Sequence, residues 1–203
     1  MNQFGQSLLL IFVLLNPFIM SIYLLTLVKN TSLGTFSSLI IRAGLISFVV
    51  FVIFAWLGEV IFDEVLQIRF PAFMIFGGIT FLIIGVRLIL GIGPAMESIN
   101  PQSKEVAGAI AMPFIVGPGT ISASVIAGTQ LGIMPAALAI GLGLVFALGS
   151  MVLFKKLHDF VQAKKERYIE RYVEIAGRIT ALFTGSFAVD MILRGIERWL
   201  ALM

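Results

Sequence analysis

Two short stretches of this sequence combine a helix-breaking proline with an asparagine or glycine neighbour inside strongly apolar surroundings. The first is LLNPFIMS at residues 14–21, and the second is MPFIVGPGTIS at residues 112–122. Proline removes one backbone donor, and its ring clashes with the carbonyl four residues earlier. Asparagine and glycine are accepted helix caps, and proline is favoured as the first helical residue. The sequence therefore predicts that a new half-helix begins at each stretch.

The chemistry that such breaks offer is anion binding. Asn16 and Pro17 would open one half-helix. Gly117, Pro118 and Gly119 would open the other. Each half-helix N-terminus carries unpaired N–H groups and a partial positive charge of about half an electron. In a dry setting such an end binds a carboxylate or another compact anion without a cationic side chain. Two packing kinks, which proline and glycine also produce in membrane helices, are the alternative interpretation.

Polar side chains near the breaks can orient a bound molecule. Thr120 and Ser122 follow the second break, and Thr120 is the hydroxyl that we most expect to contact a ligand. Other hydroxyls nearby often bond their own helix or a neighbouring one. Thr80 and Thr180 occupy matching positions in two similar segments. They either line the same cavity or join helices by hydrogen bonds.

Acidic charge inside the apolar segments is scarce. Asp190 lies in the last segment, four residues before Arg194. A carboxylate there either binds a substrate ammonium or a coupling Na⁺ or H⁺, or it pairs with Arg194 near the outer interface. The sequence leaves both interpretations open.

Metal and catalytic chemistry have no visible apparatus in the sequence. The chain has no cysteine and one histidine, His158, so thiolate and His-based metal sites are excluded. There is no Ser-His-Asp set, no pair of catalytic carboxylates and no phosphate-binding loop. We expect that the chain is not an enzyme and that it carries no cofactor other than a coupling Na⁺ or H⁺.

Composition places the chain in a lipid bilayer. Of its 203 residues, 59% are hydrophobic and 12% are charged, whereas soluble domains carry about 25% charged residues. A spanning helix needs roughly 20 mostly apolar residues. Six segments qualify: 7–28, 39–62, 71–92, 105–129, 133–154 and 174–200. The sequence predicts an all-α membrane protein with six transmembrane helices in a single polytopic domain, 1–203, and no nucleic-acid module.

The chain also repeats itself at a spacing of about 100 residues. GGITFLIIG at 77–85 aligns with GRITALFTG at 177–185, with five identical positions of nine. The two breaks align at nearly the same spacing. Three helices per half would insert the second copy the opposite way up, and inverted repeats with broken helices are typical of secondary transporters. We predict repeats at about 1–92 and 105–203. Chance similarity between apolar helices is the alternative.

The distribution of basic residues predicts the orientation. Eleven of the 14 Lys and Arg residues fall on the side that holds the loops after helices 1, 3 and 5. Cytoplasmic loops carry such an excess. The sequence therefore predicts both termini outside and the basic loop 155–171 in the cytoplasm, with His158 solvated in that loop. The N-terminus lacks a basic region and a cleavage site, so no removable signal peptide is expected.

Three stretches of the chain resemble the MarC family of membrane proteins (UPF0056 type). They are NP in the first segment, PFIVGPGTI in the fourth and RITALF with ILRGI in the last. The resemblance covers essentially the whole chain. The family is similar to LysE-type exporters, and some members are described as transporters of small neutral amino acids. The resemblance implies a bacterial inner-membrane protein whose two motifs carry the breaks described above.

The first motif departs from the family pattern. The usual pattern is N-P-x-G-x-x-P, but Ile19 stands where glycine is expected and Ile22 where the second proline is expected. A helix with isoleucine at these positions is less deeply broken, which marks a divergent branch.

The expected function is a secondary transporter or exporter of small solutes, most of all small neutral amino acids. A lipid or prenyl-phosphate translocase, with phosphate at the same helix ends, is one alternative. It requires basic side chains near the membrane midplane, whereas the deepest ones, Arg42 and Arg87, are expected to snorkel to the cytoplasmic boundary. A membrane scaffold or regulatory protein whose breaks are only kinks is the other. A homo-oligomer is compatible with each.

Overall fold

The described part of the chain is helical. The computed structural model describes residues 2–17, 20, 21, 24–90, 115–162 and 166–203. The helices are α1 Gln3–Leu15, α2 Leu25–Asn30, α3 Leu33–Leu57, α4 Phe70–Ile89, α5 Pro118–Leu131, α6 Ile133–Gln162 and α7 Glu166–Leu200, with a π-helical turn at Ile61–Val65. No strand occurs within these ranges, so the predicted all-α class is confirmed for them.

Three of these helices are long and apolar enough to cross a membrane. They are α3, α4 as far as Arg87, and α6 as far as Phe160. The helices α1 and α5 have 13 and 14 residues, fewer than the roughly 20 that a spanning helix needs. Each ends or begins at a break, so it can reach across a bilayer only together with the segment on the other side. The described residues therefore support three of the six predicted spans directly.

The second predicted span begins six residues earlier than the sequence analysis placed it. The side chain of Ser32 accepts a hydrogen bond from the backbone N–H of Thr35 at 3.2 Å and caps α3. Gly58, with φ of 61°, follows the last residue of α3. The error arose because the polar residues before position 39 form a cap and a first helical turn rather than a loop.

The described residues of the basic segment 155–171 are helical, whereas the sequence predicted a loop. Helix α6 continues to Gln162 and α7 begins at Glu166, and residues 163–165 lie outside the described residues. Lys, Arg, Glu and Gln are strong helix formers. A run of charge therefore does not end a helix, and the sequence analysis confused the end of the apolar segment with the end of the helix.

Two polar residues in this extension of α6 are buried. Lys155 is 2% exposed and His158 is 4% exposed, so the expectation of a solvated His158 is wrong. The Lys155 Nζ donates to the carbonyl of Val28 and to the carboxylate of Asp159, both at 2.6 Å. The lysine thus supplies a donor to the last turn of α2, whose carbonyls have no partners within their own helix.

Glycines allow the antiparallel helices α4 and α7 to pack closely. A Cβ on Gly195 would lie 3.0 Å from the carbonyl oxygen of Pro71, near one end of the pair. A Cβ on Gly85 would lie 3.3 Å from the backbone nitrogen of Gly185, near the other end. Small residues at such positions let helix backbones approach each other in membrane proteins. This pair forms one wall of the site described below.

One contact between helices recurs 100 residues further along the chain. Gly128 of α5 lies against the carbonyl oxygen of Ala55 in α3. The position 100 residues before Gly128 is Val28 in α2, and the position 100 residues after Ala55 is Lys155 in α6. These two residues are also in contact. The corresponding positions are thus in contact in both parts of the chain, although the contacts differ in kind.

The contact between α5 and α3 depends on the absence of a side chain at Gly128. A Cβ there would overlap the Ala55 carbonyl oxygen, and a backbone atom cannot rotate away. We expect Gly128→Ala to lower the thermal unfolding temperature in detergent, since overpacking costs roughly 1–3 kcal/mol. The control is Gly149→Ala in α6, where nothing lies within 4 Å of the added carbon. Equal unfolding temperatures for the two variants would contradict the close contact.

Candidate functional site

The first break lies at Asn16. This residue adopts the left-handed conformation, with φ of 43° and ψ of 78°, and ends α1. Its N–H donates to the carbonyl of Phe12 at 3.2 Å, while its own carbonyl accepts from the N–H of Met20 at 3.1 Å. Asn16 therefore closes one helical segment and opens the next, whereas the sequence analysis assigned it only the second role. Pro17 is buried and helical.

The side chain of Asn16 reaches across to α7. Its Nδ2 donates to the hydroxyl of Thr184 at 3.1 Å. Asparagine tolerates the left-handed region better than other residues with a Cβ. The same residue thus provides the backbone bend and a polar link between two helices that are 168 positions apart in sequence.

The second break lies at Gly117, as predicted. Gly117 is extended and precedes α5, whose first residue is Pro118. The Thr120 hydroxyl accepts from the N–H of Gly117 at 2.9 Å. The same hydroxyl lies 2.9 Å from the carbonyl oxygens of Ile115 and Gly117, to either of which it can donate. Thr120 therefore ties the start of α5 to the chain that precedes the break.

Both breaks open on one cavity of about 370 Å³, which we call the chamber. Its polar or break-forming lining residues are Asn16, Thr80, Arg87, Gly117, Thr120 and Thr184. The rest of its wall is apolar and includes Phe81 and Pro118. Small-molecule sites in proteins are typically clefts of about 300–1,000 Å³ with a few polar groups in an apolar wall. The chamber has the size and the lining of such a site.

The electrostatics of the chamber favour an anion. Helix α5 begins there, and its N-terminus carries a partial positive charge of about half an electron. The N–H groups of the first turn have no acceptors within the helix. The guanidinium of Arg87 adds a full charge, and no acidic side chain among the described residues lines the chamber. The hydroxyls of Thr80 and Thr184 supply polar contacts.

Sequence reasoning missed two residues of the chamber. Arg87 was assigned to the membrane interface, and Thr184 was not considered. Thr80, Ile84 and Arg87 follow the spacing of one helix face, and all three line the chamber. Thr184 lies one turn after Thr180, whose side chain is outside the described residues. Helical spacing from the two predicted threonines was the signal that could have found both.

A second, smaller cavity of about 40 Å³ lies next to the chamber and shares Leu14 with it. Its polar lining residues are Ser122, Asp190 and Arg194. The Nε of Arg194 lies 2.7 Å from Oδ2 of Asp190. The predicted site residues are therefore divided between two cavities, except Pro17, which lines neither, and Asp190 does not line the chamber.

Gly119 lies between the two cavities. It lines the second cavity, and a Cβ added to it would overlap the ring of Phe81, which lines the chamber. Only glycine fits this position with the ring in place. Phe81, Gly119 and Leu14 together form the partition between the two spaces.

Other hydroxyls near the breaks bond to their own helices. The Ser21 hydroxyl donates to the carbonyl of Pro17 at 2.7 Å, and the Ser124 hydroxyl donates to that of Thr120 at 2.8 Å. Residues 112–114 of the second motif, like Ile19 and Ile22 of the first, lie outside the described residues.

The left-handed backbone at Asn16 can be tested with two substitutions. Asn16→Gly and Asn16→Leu both remove the hydrogen bond to Thr184, but only leucine must hold a Cβ in the left-handed region, at a cost of roughly 1–2 kcal/mol. We expect Asn16→Leu to unfold at a lower temperature than Asn16→Gly in detergent. If the two variants were equally stable, the break would not lie at Asn16.

Comparison with known proteins identifies the family. The model of the MarC family of integral membrane proteins matches residues 1–200. A UPF0056 membrane protein of Pyrococcus horikoshii is 28% identical over 137 residues, which are 66% of this chain and 67% of that protein. No solved structure matches the chain. Because the family match covers nearly all of the sequence and includes both breaks, the chain belongs to the MarC family of integral membrane proteins.

Proposed function

We propose that this protein is a secondary transporter or exporter of small solutes, and that its substrates are small neutral amino acids. The observation that carries the proposal is the meeting of two helix breaks in one chamber. Discontinuous helices whose ends point at a shared cavity are the usual way in which transporters bind anionic groups within a membrane. We propose no catalytic role.

The carboxylate of the substrate would lie at the start of α5. The first-turn N–H groups of this helix and its partial positive charge favour a carboxylate there. Asn16 and Thr120 line the same space and can orient the molecule. The apolar part of the wall suits a short uncharged side chain, because it offers no partner for a second polar group.

We also propose that the chain is an inverted repeat of two three-helix units. Each residue of 31–60 corresponds to the residue 100 positions later, in 131–160. The two have the same degree of burial (buried, half-buried or exposed) at every position except two. The reciprocal contacts of Ala55 with Gly128 and of Lys155 with Val28 support the same relationship. Inverted repeats allow one unit to rock against the other and so expose a central site to each side in turn.

The protein would reside in the inner (plasma) membrane with both termini outside. The excess of Lys and Arg on one side supports this orientation. Under this proposal the helical extension 155–162 lies at the cytoplasmic end of α6, although it is not a loop.

Arg87 supports a second candidate, a translocase for a lipid or prenyl phosphate. This alternative needs a basic side chain at the binding space, and Arg87 lines the chamber. A phosphate would be held by the guanidinium together with the start of α5. The amino-acid proposal depends less on Arg87, because the helix end can already bind a single carboxylate.

Transport can be measured directly in proteoliposomes. We expect uptake or counterflow of radiolabelled glycine, alanine, serine or threonine, under a Na⁺ or H⁺ gradient. Thr120→Val should reduce the rate at least tenfold, because it removes the hydroxyl that organises the second break. Thr129→Val is the matched control, since Thr129 is exposed near the end of the same helix and bonds only its own turn through Ile126.

The same preparation separates the alternatives. No transport of any of the four amino acids under either gradient would rule out the amino-acid proposal. The phosphate translocase would be favoured instead if farnesyl phosphate stabilises the protein and farnesol does not. This stabilisation should be lost in Arg87→Gln and kept in Arg42→Gln. Arg42 is the matched control because it is exposed on α3 and does not line the chamber. A scaffold would show neither activity, and Asn16→Leu combined with Pro118→Ala would leave its assembly intact.

The inverted arrangement predicts opposite sides of the membrane for two equivalent residues. Asn30 and Gln130 are both exposed and lie at or next to the ends of α2 and α5. The chain has no cysteine, so the single variants Asn30→Cys and Gln130→Cys report one site each. We expect a membrane-impermeant maleimide to label only Gln130→Cys in intact cells. Labelling of both variants, or of neither, would contradict the arrangement.

A further inference from the structure

The hydroxyl of Ser122 is buried without a partner in the described structure. Ser122 is 3% exposed, and its Oγ makes no hydrogen bond. Buried serines elsewhere in these helices, such as Ser47 and Ser124, donate to the carbonyl four residues earlier. An unsatisfied buried hydroxyl is unfavourable. The free Oγ therefore points to a group that binds in the second cavity, which Ser122 lines.

Two negative groups border the second cavity, which Arg194 and the first turn of α5 also line. Asp190 is the only acidic residue among the described residues that line the second cavity. The last turn of α1 contributes Leu14 to the same wall, and a helix C-terminus carries a partial negative charge. Pro17 has no N–H with which to satisfy the carbonyl of Val13. The second cavity thus offers a carboxylate, a hydroxyl and the negative end of a helix.

We propose that the second cavity is a binding site for a small monovalent cation of the Na⁺ class, with Asp190 and Ser122 as ligands. One carboxylate matches one positive charge, whereas Ca²⁺ sites use several carboxylates. The described residues contain no group of three or more His, Cys, Asp or Glu side chains that could hold a metal ion, so the proposed site rests on one carboxylate, a hydroxyl and water. A volume of about 40 Å³ slightly exceeds the roughly 30 Å³ that one water takes in the liquid, which suits a small cation with few waters.

In the structure Arg194 is paired with the carboxylate of Asp190. In this proposal Arg194 therefore competes with the cation for that carboxylate. Its Nε lies 2.7 Å from Asp190 Oδ2, and the two side chains are 61% and 54% exposed. With 61% of its side chain exposed, Arg194 has room to leave the carboxylate when a cation binds. Cation binding would then replace one positive charge on Asp190 by another, without leaving the carboxylate unpaired.

The cation site lies on the opposite side of the start of α5 from the chamber. Thr120 lines the chamber, Ser122 lines the second cavity, and Leu14 lines both. A cation in one cavity and an anion in the other would stabilise each other across this partition. That coupling rests on the proposed transport function, but binding of the cation does not.

The test measures cation binding in the absence of any amino acid. Protein purified in detergent is titrated with NaCl against choline chloride at constant ionic strength, and the unfolding temperature is followed. We expect a saturable rise with NaCl that choline does not produce. Asp190→Asn should abolish the rise, and Ser122→Ala should shift the midpoint to at least tenfold higher NaCl.

The variant that separates a cation site from a structural ion pair is Arg194→Gln. Removal of the competitor should move the midpoint to lower NaCl, although it breaks the same ion pair as Asp190→Asn. Controls are Glu59→Gln, which breaks the similarly exposed 2.7 Å pair of Glu59 with Arg198, and Ser186→Ala on α7. Neither control residue lines the second cavity, and neither substitution should move the midpoint.

The proposal is overturned if NaCl and choline chloride act alike on the unaltered protein. It is also overturned if Asp190→Asn and Arg194→Gln shift the titration in the same direction, since a structural ion pair predicts equal effects. These readouts contain no transported solute, so failure of the cation site and failure of the transport proposal are separate results.

Discussion

The structure depends on the need to satisfy backbone polar groups where no water is present. Inside a bilayer an unpaired N–H or C=O costs several kcal/mol, so a helix can be interrupted only where the protein supplies other partners. Asn16 does this with its own backbone by bonding to the turns on both sides. At the second break the Thr120 hydroxyl serves the same purpose for Gly117. The interruptions are therefore stabilised features, and the charge of the helix ends remains available to a ligand.

The two cavities share a wall but differ in the charged groups that line them. The chamber lies at the N-terminus of α5 and includes Arg87, so its field is positive. The second cavity lies beside the C-terminal turn of α1 and includes Asp190, which is paired with Arg194. Among the described lining residues, the chamber thus holds a cationic group without an acidic one, whereas the second cavity holds an ion pair. Gly119 keeps the partition thin, because any larger residue would displace the ring of Phe81.

The breaks could be predicted from sequence, whereas the assignment of side chains to cavities could not. Proline, glycine and asparagine act on their own backbone, so their effect is readable locally. The face of α4 that turns toward the protein cannot be identified in this way, because lipid-facing and protein-facing residues of a membrane helix are equally apolar. For this reason the sequence alone does not place Arg87 beside the chamber. The burial of Lys155 depends on Val28, which is 127 positions away in sequence, and the basic composition of the segment suggested a solvated loop instead.

The hydrogen bond from Lys155 to Val28 makes the two ends of the molecule mechanically unequal. Where α5 meets α3, Gly128 and Ala55 are held by van der Waals contact alone at that point. Where α2 meets α6, separation would break a charge-assisted hydrogen bond in a buried setting and leave an ammonium group without its carbonyl. Pulling α2 away from α6 therefore costs more at this contact than pulling α5 away from α3, so the two seams resist separation unequally.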